Sequence, residues 1–256
     1  MSRNLPYEKP EVKTLFRELT PPVVWKILTS LVRSGSKKEV EIGTERQKEF
    51  YDAMYSRTDD YRQHYTYSRY YFLWCVLLDR VQPADVRCLF ELGCGPGQLA
   101  SFLRDRGLRN YVGVDFSSEC IRMAQSACSS FRFVCADVFT SDLFNSLDYD
   151  VVVATEFLEH VEADLVILNR IRPGTRVYGS VPNFPDPGHV RHFRSAEDVR
   201  SRYSSSFASF RVDELLFGSE GMSFFLFEGV RAPERADANK LEDSGECAYE
   251  EGGPCD

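Results

Sequence analysis

The sequence predicts an α/β protein built on a doubly wound, mostly parallel sheet. From residue 87 onward, short apolar runs alternate with helical patterns, as they do in successive βαβ units. The first run leads into the segment FELGCGPGQLA, in which glycine takes every second position of a turn between a strand and a helix. Two late apolar runs are joined by FGSEG and predict an antiparallel hairpin at the end of the sheet. We therefore expect a Rossmann-like fold.

The individual elements follow from the apolar runs in chain order. Five strands are predicted at residues 87–92, 111–115, 132–135, 149–154 and 176–181, and the hairpin strands near 207–215 and 223–230. Helical patterns follow the first, second, fourth and fifth strands. Ser117 is expected to cap the helix after the second strand, because its hydroxyl can accept a hydrogen bond from a free amide at the helix start. Cys120, Ile121 and Ala124 have the spacing of the buried face of that helix.

The chain divides into a helical extension or lid at residues 1–80, a main domain at 81–230 and a tail at 231–256. The segment TPPVVWKILTSLV predicts an amphipathic helix around Trp25, which either packs on the main domain or makes a peripheral contact with an anionic membrane surface. Residues 50–74 are rich in tyrosine, and these side chains are expected either to join the core or to cover a ligand. The tail is acidic and has little to bury, so we expect it to be disordered.

The composition argues against several classes of protein. A formal net charge of −8 disfavours a broad surface for nucleic acid. The eight cysteines include no C-x-x-C pair, which argues against a zinc ribbon and against a disulfide framework. The sequence has neither a secretory signal nor an apolar run of about 18 residues that could span a membrane. We expect a cytoplasmic protein with reduced thiols.

Small and acidic residues recur where the predicted strands end. In an open parallel sheet the ligand lies beyond the carboxyl ends of the strands, so residues at these ends are the candidate ligand contacts. Glu91 and the glycine turn follow the first strand, and Asp115 ends the second, where a carboxylate can accept both hydroxyls of a ribose. Asp137 follows the third strand beside Ala136 and Val138, and this combination suits the amine and the ring of an adenine.

The spacing of the glycines argues against a nicotinamide dinucleotide. The dinucleotide fingerprint is G-x-G-x-x-G, and the position of its third glycine is taken here by Gln98. The turn instead reads G-x-G-x-G.

Residues 87 to 230 resemble a class I S-adenosylmethionine-dependent methyltransferase domain. The resemblance is carried by FELGCGPGQLA, YVGVDFSSECIRMAQ, FVCADVF and DYDVVVATEFLEHV, in that order. It implies a seven-stranded sheet with a reversed terminal hairpin, and S-adenosylmethionine as the cofactor. It also implies that the three glycines approach the methionine part, that Phe116 flanks the adenine and that Glu156 lies near the amino acid moiety or the acceptor. The expected cofactor-binding residues are then Glu91, Gly93, Cys94, Gly95, Gly97, Asp115, Phe116, Asp137, Val138 and Glu156.

The segment after the fourth strand carries candidate catalytic residues. Glu156, Glu159 and His160 have the spacing of one helical face, so we expect them to converge at the mouth of the site. His160 can act as a general base on an acceptor hydroxyl. Alternatively, these side chains bind a divalent metal such as Mg²⁺, or the histidine has only a structural role. EFLEHV is similar to a segment of ubiquinone-pathway O-methyltransferases and of metal-dependent small-RNA 2′-O-methyltransferases.

The loop after the fifth strand is rich in proline and contains two of the four histidines. His189 or His192 is expected to be a further metal ligand or a substrate contact, and both are alternatively loop residues without chemistry. Arg191 can bind an acidic group of the substrate.

The leading prediction is a methyltransferase that acts on a hydroxyl oxygen of a small molecule. Family members that methylate amino groups of bases or amides commonly carry an Asn/Asp-Pro-Pro-Tyr tetrad after the fourth strand, and this chain has Thr155-Glu156-Phe157-Leu158 instead. One alternative is a metal-dependent RNA 2′-O-methyltransferase, which the acidic balance disfavours. The other is a non-catalytic module that binds the cofactor.

Overall fold

The computed structural model describes residues 43–218 and 221–233. The predicted Trp25 helix lies outside these residues, and so does the predicted acidic tail from residue 234 onward. The helices are α1 (Lys48–Arg57), α2 (Tyr71–Val81), α3 (Gln98–Asp105), α4 (Ser118–Ala127), α5 (Leu143–Ser146), α6 (Asp164–Arg170) and α7 (Ala196–Tyr203). Within the described residues, no helix is long and apolar enough to cross a bilayer.

Seven strands form one sheet, as predicted. They are β1 (Leu89–Leu92), β2 (Tyr111–Asp115), β3 (Arg132–Cys135), β4 (Val151–Thr155), β5 (Arg176–Pro182), β6 (Phe207–Phe217) and β7 (Met222–Arg231). The strand order is β3-β2-β1-β4-β5-β7-β6. Strands β1 to β5 run parallel, and β7 is antiparallel to both β5 and β6. The predicted α/β class with an antiparallel terminal hairpin is therefore confirmed.

Both faces of the parallel strands are buried, and alternate residues serve opposite faces. In β1, Phe90 packs with Phe144 of α5 and Leu168 of α6 on one side of the sheet. Leu89, its neighbour, packs with Leu77 of α2 and Phe102 of α3 on the other side. Because each strand must be apolar on both faces, the strands appear in the sequence as continuous apolar runs.

Several details of the predicted elements differ from the structure; the fourth strand, for example, begins at Val151 instead of residue 149. The first strand begins at Leu89 because the amides of Arg87 and Cys88 donate to the carboxylate of Asp150, at 3.3 and 2.9 Å, instead of joining the strand ladder. A short helix, α5, follows the third strand, where no helix was predicted; its four residues are too few to show a period.

The predicted start of the tail at residue 231 is also wrong. Arg231 ends β7 and is only 4% exposed. Its guanidinium donates to the backbone carbonyls of Leu168 at 2.8 Å and of Ser206 at 3.1 Å. Its charge suggested a solvated residue, but these carbonyls satisfy its donors inside the protein.

The segment before β1 lies over the carboxyl ends of the strands. The carboxylate of Asp52 in α1 accepts hydrogen bonds from the hydroxyl of Ser117 at 2.5 Å and from the amide of Glu119 at 3.5 Å, at the start of α4. Gln98, at the start of α3, donates through its side-chain amide to the carbonyls of Asp60 and Gln63, at 3.2 and 2.9 Å. These bonds hold α1 and the turn that follows it beside the glycine turn.

We expect Ser117→Ala to lower the free energy of unfolding by about 1–2 kcal/mol. Ser117 caps α4 by accepting a hydrogen bond from the amide of Cys120 at 3.1 Å, as predicted, and also donates to Asp52. Denaturant unfolding measures the change, with Ser118→Ala as the control because Ser118 is exposed. Equal effects of the two substitutions would contradict the capping role.

Candidate functional site

The carboxylate of Asp115 joins the ends of β1 and β2. One oxygen accepts a hydrogen bond from the amide of Gly95 at 3.0 Å, and the other accepts one from the amide of Ser117 at 2.9 Å. Gly93 and Gly95 have φ values of 68° and 48°, which residues with a Cβ rarely adopt. Burial raises the pKa of Asp115 to about 6, although both amide bonds lower it. The turn is thus shaped by its glycines and held by a buried carboxylate.

One cavity lies beyond the ends of β2 and β3. It is lined by Asp115, Phe116, Asp137 and Val138, which were predicted to contact the ribose and the adenine of the cofactor. Asp137 is exposed, and one of its oxygens accepts from the amide of Phe139 at 2.8 Å. The second carboxylate oxygen can accept from an exocyclic amine.

A second cavity lies over the glycine turn. It is lined by Glu91, Gly93, Cys94 and Gly95, which were predicted to contact the cofactor. The two cavities share five lining residues, Tyr51, Tyr55, Gly93, Glu156 and His160, so they lie side by side. Glu91 accepts a hydrogen bond from the hydroxyl of Tyr111, and burial raises its pKa to about 8.

Two of the residues predicted to contact the cofactor also have packing roles. Gly97 lines neither cavity; its amide donates to the carbonyl of Cys94 at 3.2 Å. A Cβ on Gly97 would lie 2.9 Å from the Cα of Ala124, so this glycine lets α3 pack closely on α4. The side chain of Cys94 is buried in the core, where it packs beside Gly113, and only its place in the turn brings it to the cavity wall.

The tyrosine-rich segment contributes both to the core and to the wall of a cavity. Tyr65 and Tyr71 pack on Phe102 in the core, with ring centroids 5.3 and 5.6 Å away. Tyr51, Tyr55, Tyr61 and Tyr70 line the cavity over the glycine turn.

Arg69 lines the same cavity and was not predicted from the sequence. One guanidinium nitrogen donates to the hydroxyl of Tyr70 at 2.6 Å, and the group stands 4.8 Å from the centroid of the Tyr70 ring. A guanidinium beside the glycine turn suits the carboxylate of an amino acid moiety. No specific motif surrounds Arg69, so the sequence places it in a segment that could cover a ligand but assigns it no role of its own.

The residues after β4 do not form the predicted helical face. Glu156 has a φ of 52°, which interrupts any helix, and Leu158–His160 forms a single 3₁₀ turn. The carboxylate of Glu156 accepts a hydrogen bond from the hydroxyl of Ser180 at 2.8 Å. Glu156 therefore faces both cavities, and burial raises its pKa to about 8. The left-handed residue could not be recognised because it is not a glycine.

The ring of His160 is oriented by its neighbours. Its Nδ1 lies 2.9 Å from the carbonyl oxygen of Gly188 and 3.1 Å from the hydroxyl of Tyr51. Because a carbonyl only accepts hydrogen bonds, Nδ1 carries the proton and Nε2 has a free lone pair. Burial lowers the pKa of His160 to about 4, so the ring is neutral at pH 7.

His189 is arranged in the same way. Its Nδ1 lies 3.1 Å from the carbonyl oxygen of Phe184, and burial lowers its pKa to about 4. The rings of His160 and His189 have centroids 4.9 Å apart. His192, in contrast, is exposed and lines neither cavity, so its predicted place in the site is wrong.

Glu159 completes a cluster with the two histidines. It is fully buried, and within the described residues its carboxylate oxygens have no hydrogen-bond donor. One oxygen lies 4.0 Å from Nε2 of His160. The ligand atoms of Glu159, His160 and His189 all lie within 4.8 Å of one another, and Glu156 is not part of this group. Two imidazole nitrogens and a carboxylate, with each Nδ1 held by a carbonyl, are a donor set that suits a divalent metal.

The comparison with known proteins identifies the family. Residues 65–212, more than half of the chain, match the family described as a methyltransferase domain. The chain belongs to this family. It contains a class I S-adenosylmethionine-dependent methyltransferase domain, as the resemblance implied.

The matched relatives align with less than half of this chain. An uncharacterized methyltransferase of Mycobacterium tuberculosis is 34% identical over 97 residues, which are 37% of this chain and 48% of the relative. Trans-aconitate 2-methyltransferase of Azoarcus is 29% identical over 119 residues, which are 44% of this chain and 46% of the relative. The chain thus spans about half the length of the curated relatives it matches.

Solved structures share the fold at low sequence identity. The N-methyltransferase NodS from Bradyrhizobium japonicum, in complex with S-adenosyl-L-homocysteine, has a TM-score of 0.55 at 15% identity and covers 74% of this chain and 100% of its own. A SAM-dependent methyltransferase from Archaeoglobus fulgidus has a TM-score of 0.54 at 15% identity and covers 70% and 99%.

We expect S-adenosylhomocysteine to bind less tightly as the pH falls through about 6, the pKa of Asp115. Protonation removes the carboxylate that we expect to accept the ribose hydroxyls, so the affinity is fully present above this pH and is lost below it. Calorimetry at pH 8 and pH 5 measures the change.

Asp115→Asn is the matched variant for this pH dependence. At pH 8 it should weaken binding by about 1.5–3 kcal/mol and leave a smaller pH dependence. An undiminished dependence in the variant would assign the titration to another group, such as Glu91 or Glu156.

Proposed function

We propose that the protein transfers the methyl group of S-adenosylmethionine to a hydroxyl oxygen of a small molecule. The observation that carries this proposal is the lone pair on Nε2 of His160. The ring lines both cavities, is neutral at pH 7 and is held by Gly188 and Tyr51. A neutral imidazole at the junction of the cavities can take the proton of a hydroxyl as the methyl arrives.

The remaining residues orient the reactants and exclude water. The Gly93 turn and Asp115 hold the cofactor, and the sulfonium supplies an activated methyl, so the protein needs little covalent chemistry of its own. Tyr51 and Tyr55 cover the junction of the cavities from α1. The formal net charge of −8 disfavours a surface for RNA, which supports a small molecule as the acceptor.

His160→Ala should reduce turnover by about 100-fold or more while leaving the affinity for S-adenosylhomocysteine within about threefold of the wild type. The assay incubates the protein with methyl-labelled S-adenosylmethionine and a panel of phenols, quinols and sugars, and detects methyl ethers by mass spectrometry. His192→Ala is the matched control because His192 is exposed. Cofactor binding without methyl transfer to any acceptor would favour a non-catalytic module, and transfer to RNA alone would favour the RNA alternative.

A second proposal is that Glu159, His160 and His189 hold a divalent metal. It is supported by the buried carboxylate of Glu159, for which no donor exists among the described residues. The two Nε2 atoms and this carboxylate would be the ligands. A metal bound there would lower the pKa of an acceptor hydroxyl and fix its position.

Calorimetric titration with Zn²⁺, Mn²⁺ and Mg²⁺ tests the metal proposal. We expect binding of at least one ion, and loss of that binding in Glu159→Gln, which keeps the shape of the side chain but replaces the ligating carboxyl with an amide. If none of the ions binds and a chelator leaves turnover unchanged, the metal proposal fails and the general-base proposal survives.

A further inference from the structure

Arg191 lies behind the turn Leu158–His160 and outside the two cavities of the site. The sequence suggested that it binds an acidic group of the substrate, but it lines neither cavity, and its side chain is 17% exposed. Its guanidinium donates to the backbone carbonyls of Leu158 and Val161 at 2.7 and 2.5 Å, and to that of Glu162 at 2.9 Å. These carbonyls flank Glu159 and His160.

The backbone around Arg191 holds the same turn. The amides of Val190 and Arg191 both donate to the carbonyl of Glu159, at 2.8 and 3.3 Å. Residues 188 to 191 therefore carry three supports of the site: the Gly188 carbonyl that orients His160, the ring of His189, and the Arg191 guanidinium. A shift of this segment would move all three together.

A buried carboxylate fixes the guanidinium from the far side. Asp164 is 1% exposed, and one of its oxygens lies 3.1 Å from Arg191. The same carboxylate accepts two hydrogen bonds from Arg202, at 2.6 and 2.7 Å, and one from the hydroxyl of Tyr203 at 2.8 Å. Because the charge of Asp164 is buried and paired, Arg191 has little freedom to leave the turn.

We infer that Arg191 is a positioning residue, which sets the place of the His160 ring relative to Gly188 and His189. This inference rests on the proposed function for its effect on turnover. Arg191 itself does not contact the cofactor or the acceptor. It keeps the carbonyl of Gly188 within reach of Nδ1, so that Nε2 of His160 stays unprotonated and directed toward Glu159. Loss of the guanidinium frees three carbonyls and lets the turn move away from the loop.

The test compares Arg191→Gln with Arg202→Gln. Both variants remove one cationic partner of Asp164, but Arg202 makes no contact with the turn at residues 158–162. The first readout is the NMR of histidine ring nitrogens in the presence of a chelator, since the chain has only four histidines to assign. We expect the wild type and Arg202→Gln to show His160 protonated at Nδ1, and Arg191→Gln to show a mixture of the two tautomers.

The second readout is turnover per folded molecule. Arg191→Gln should lower kcat by about 10- to 100-fold with the KM for S-adenosylmethionine within about twofold of the wild type, and Arg202→Gln should leave both nearly unchanged. Arg191→Lys keeps one donor and should recover part of kcat. An unchanged His160 tautomer in Arg191→Gln, or equal losses of kcat in the two Gln variants, would overturn the positioning role. If the wild type transfers no methyl group at all, the proposed function fails, and the NMR comparison still decides the role of Arg191.

Discussion

The carboxylate of Asp115 is the interaction on which the cofactor half of the site depends. It accepts the amide of Gly95 from the turn after β1 and the amide of Ser117 from the start of α4. Ser117 in turn donates to Asp52, so a continuous set of hydrogen bonds runs from β2 to the covering helix α1. A buried carboxylate without these donors would cost several kcal/mol. The shape of the glycine turn and the position of the tyrosines over it are therefore parts of one arrangement.

The acceptor half depends on a different set of interactions. The 3₁₀ turn Leu158–His160 is too short to hold its own shape, and its carbonyls are satisfied from the loop after β5, by Arg191 and by the amides of Val190 and Arg191. This loop is rich in proline, which restricts its backbone conformation and so limits the positions from which it can contact the turn. The histidines come together because two segments that are distant in sequence are joined by backbone carbonyls. The site is thus supported by main-chain groups more than by side-chain pairs.

These two halves differ in how far the sequence could predict them. Local patterns predict the sheet, the cap at Ser117 and the residues at the strand ends. Apolar runs, a serine at a helix start and glycines in a turn can each be recognised in a sequence. The conformation of the turn Leu158–His160 depends on residues that are distant in the sequence. The left-handed conformation of Glu156 broke the expected helical face, and the pairing of His160 with His189 depends on the path of a loop. The contacts of Arg69 and Arg191 could not be predicted for the same reason, since a guanidinium reaches partners that sequence spacing does not specify.

Burial weakens His160 as a general base, and the neighbouring Glu159 influences how weak it is. The same burial that keeps His160 neutral lowers its pKa to about 4, which makes it a weak proton acceptor. In the proposed reaction the proton would arrive at Nε2, 4.0 Å from a carboxylate oxygen of Glu159. Burial raises the pKa of Glu159 well above its ordinary value, so its carboxyl is neutral until a positive charge forms beside it. An imidazolium at His160 would favour the ionised form of Glu159, whose oxygens have no other donor among the described residues. The two buried groups therefore titrate as a coupled pair, and the basicity of His160 depends on the protonation state of Glu159.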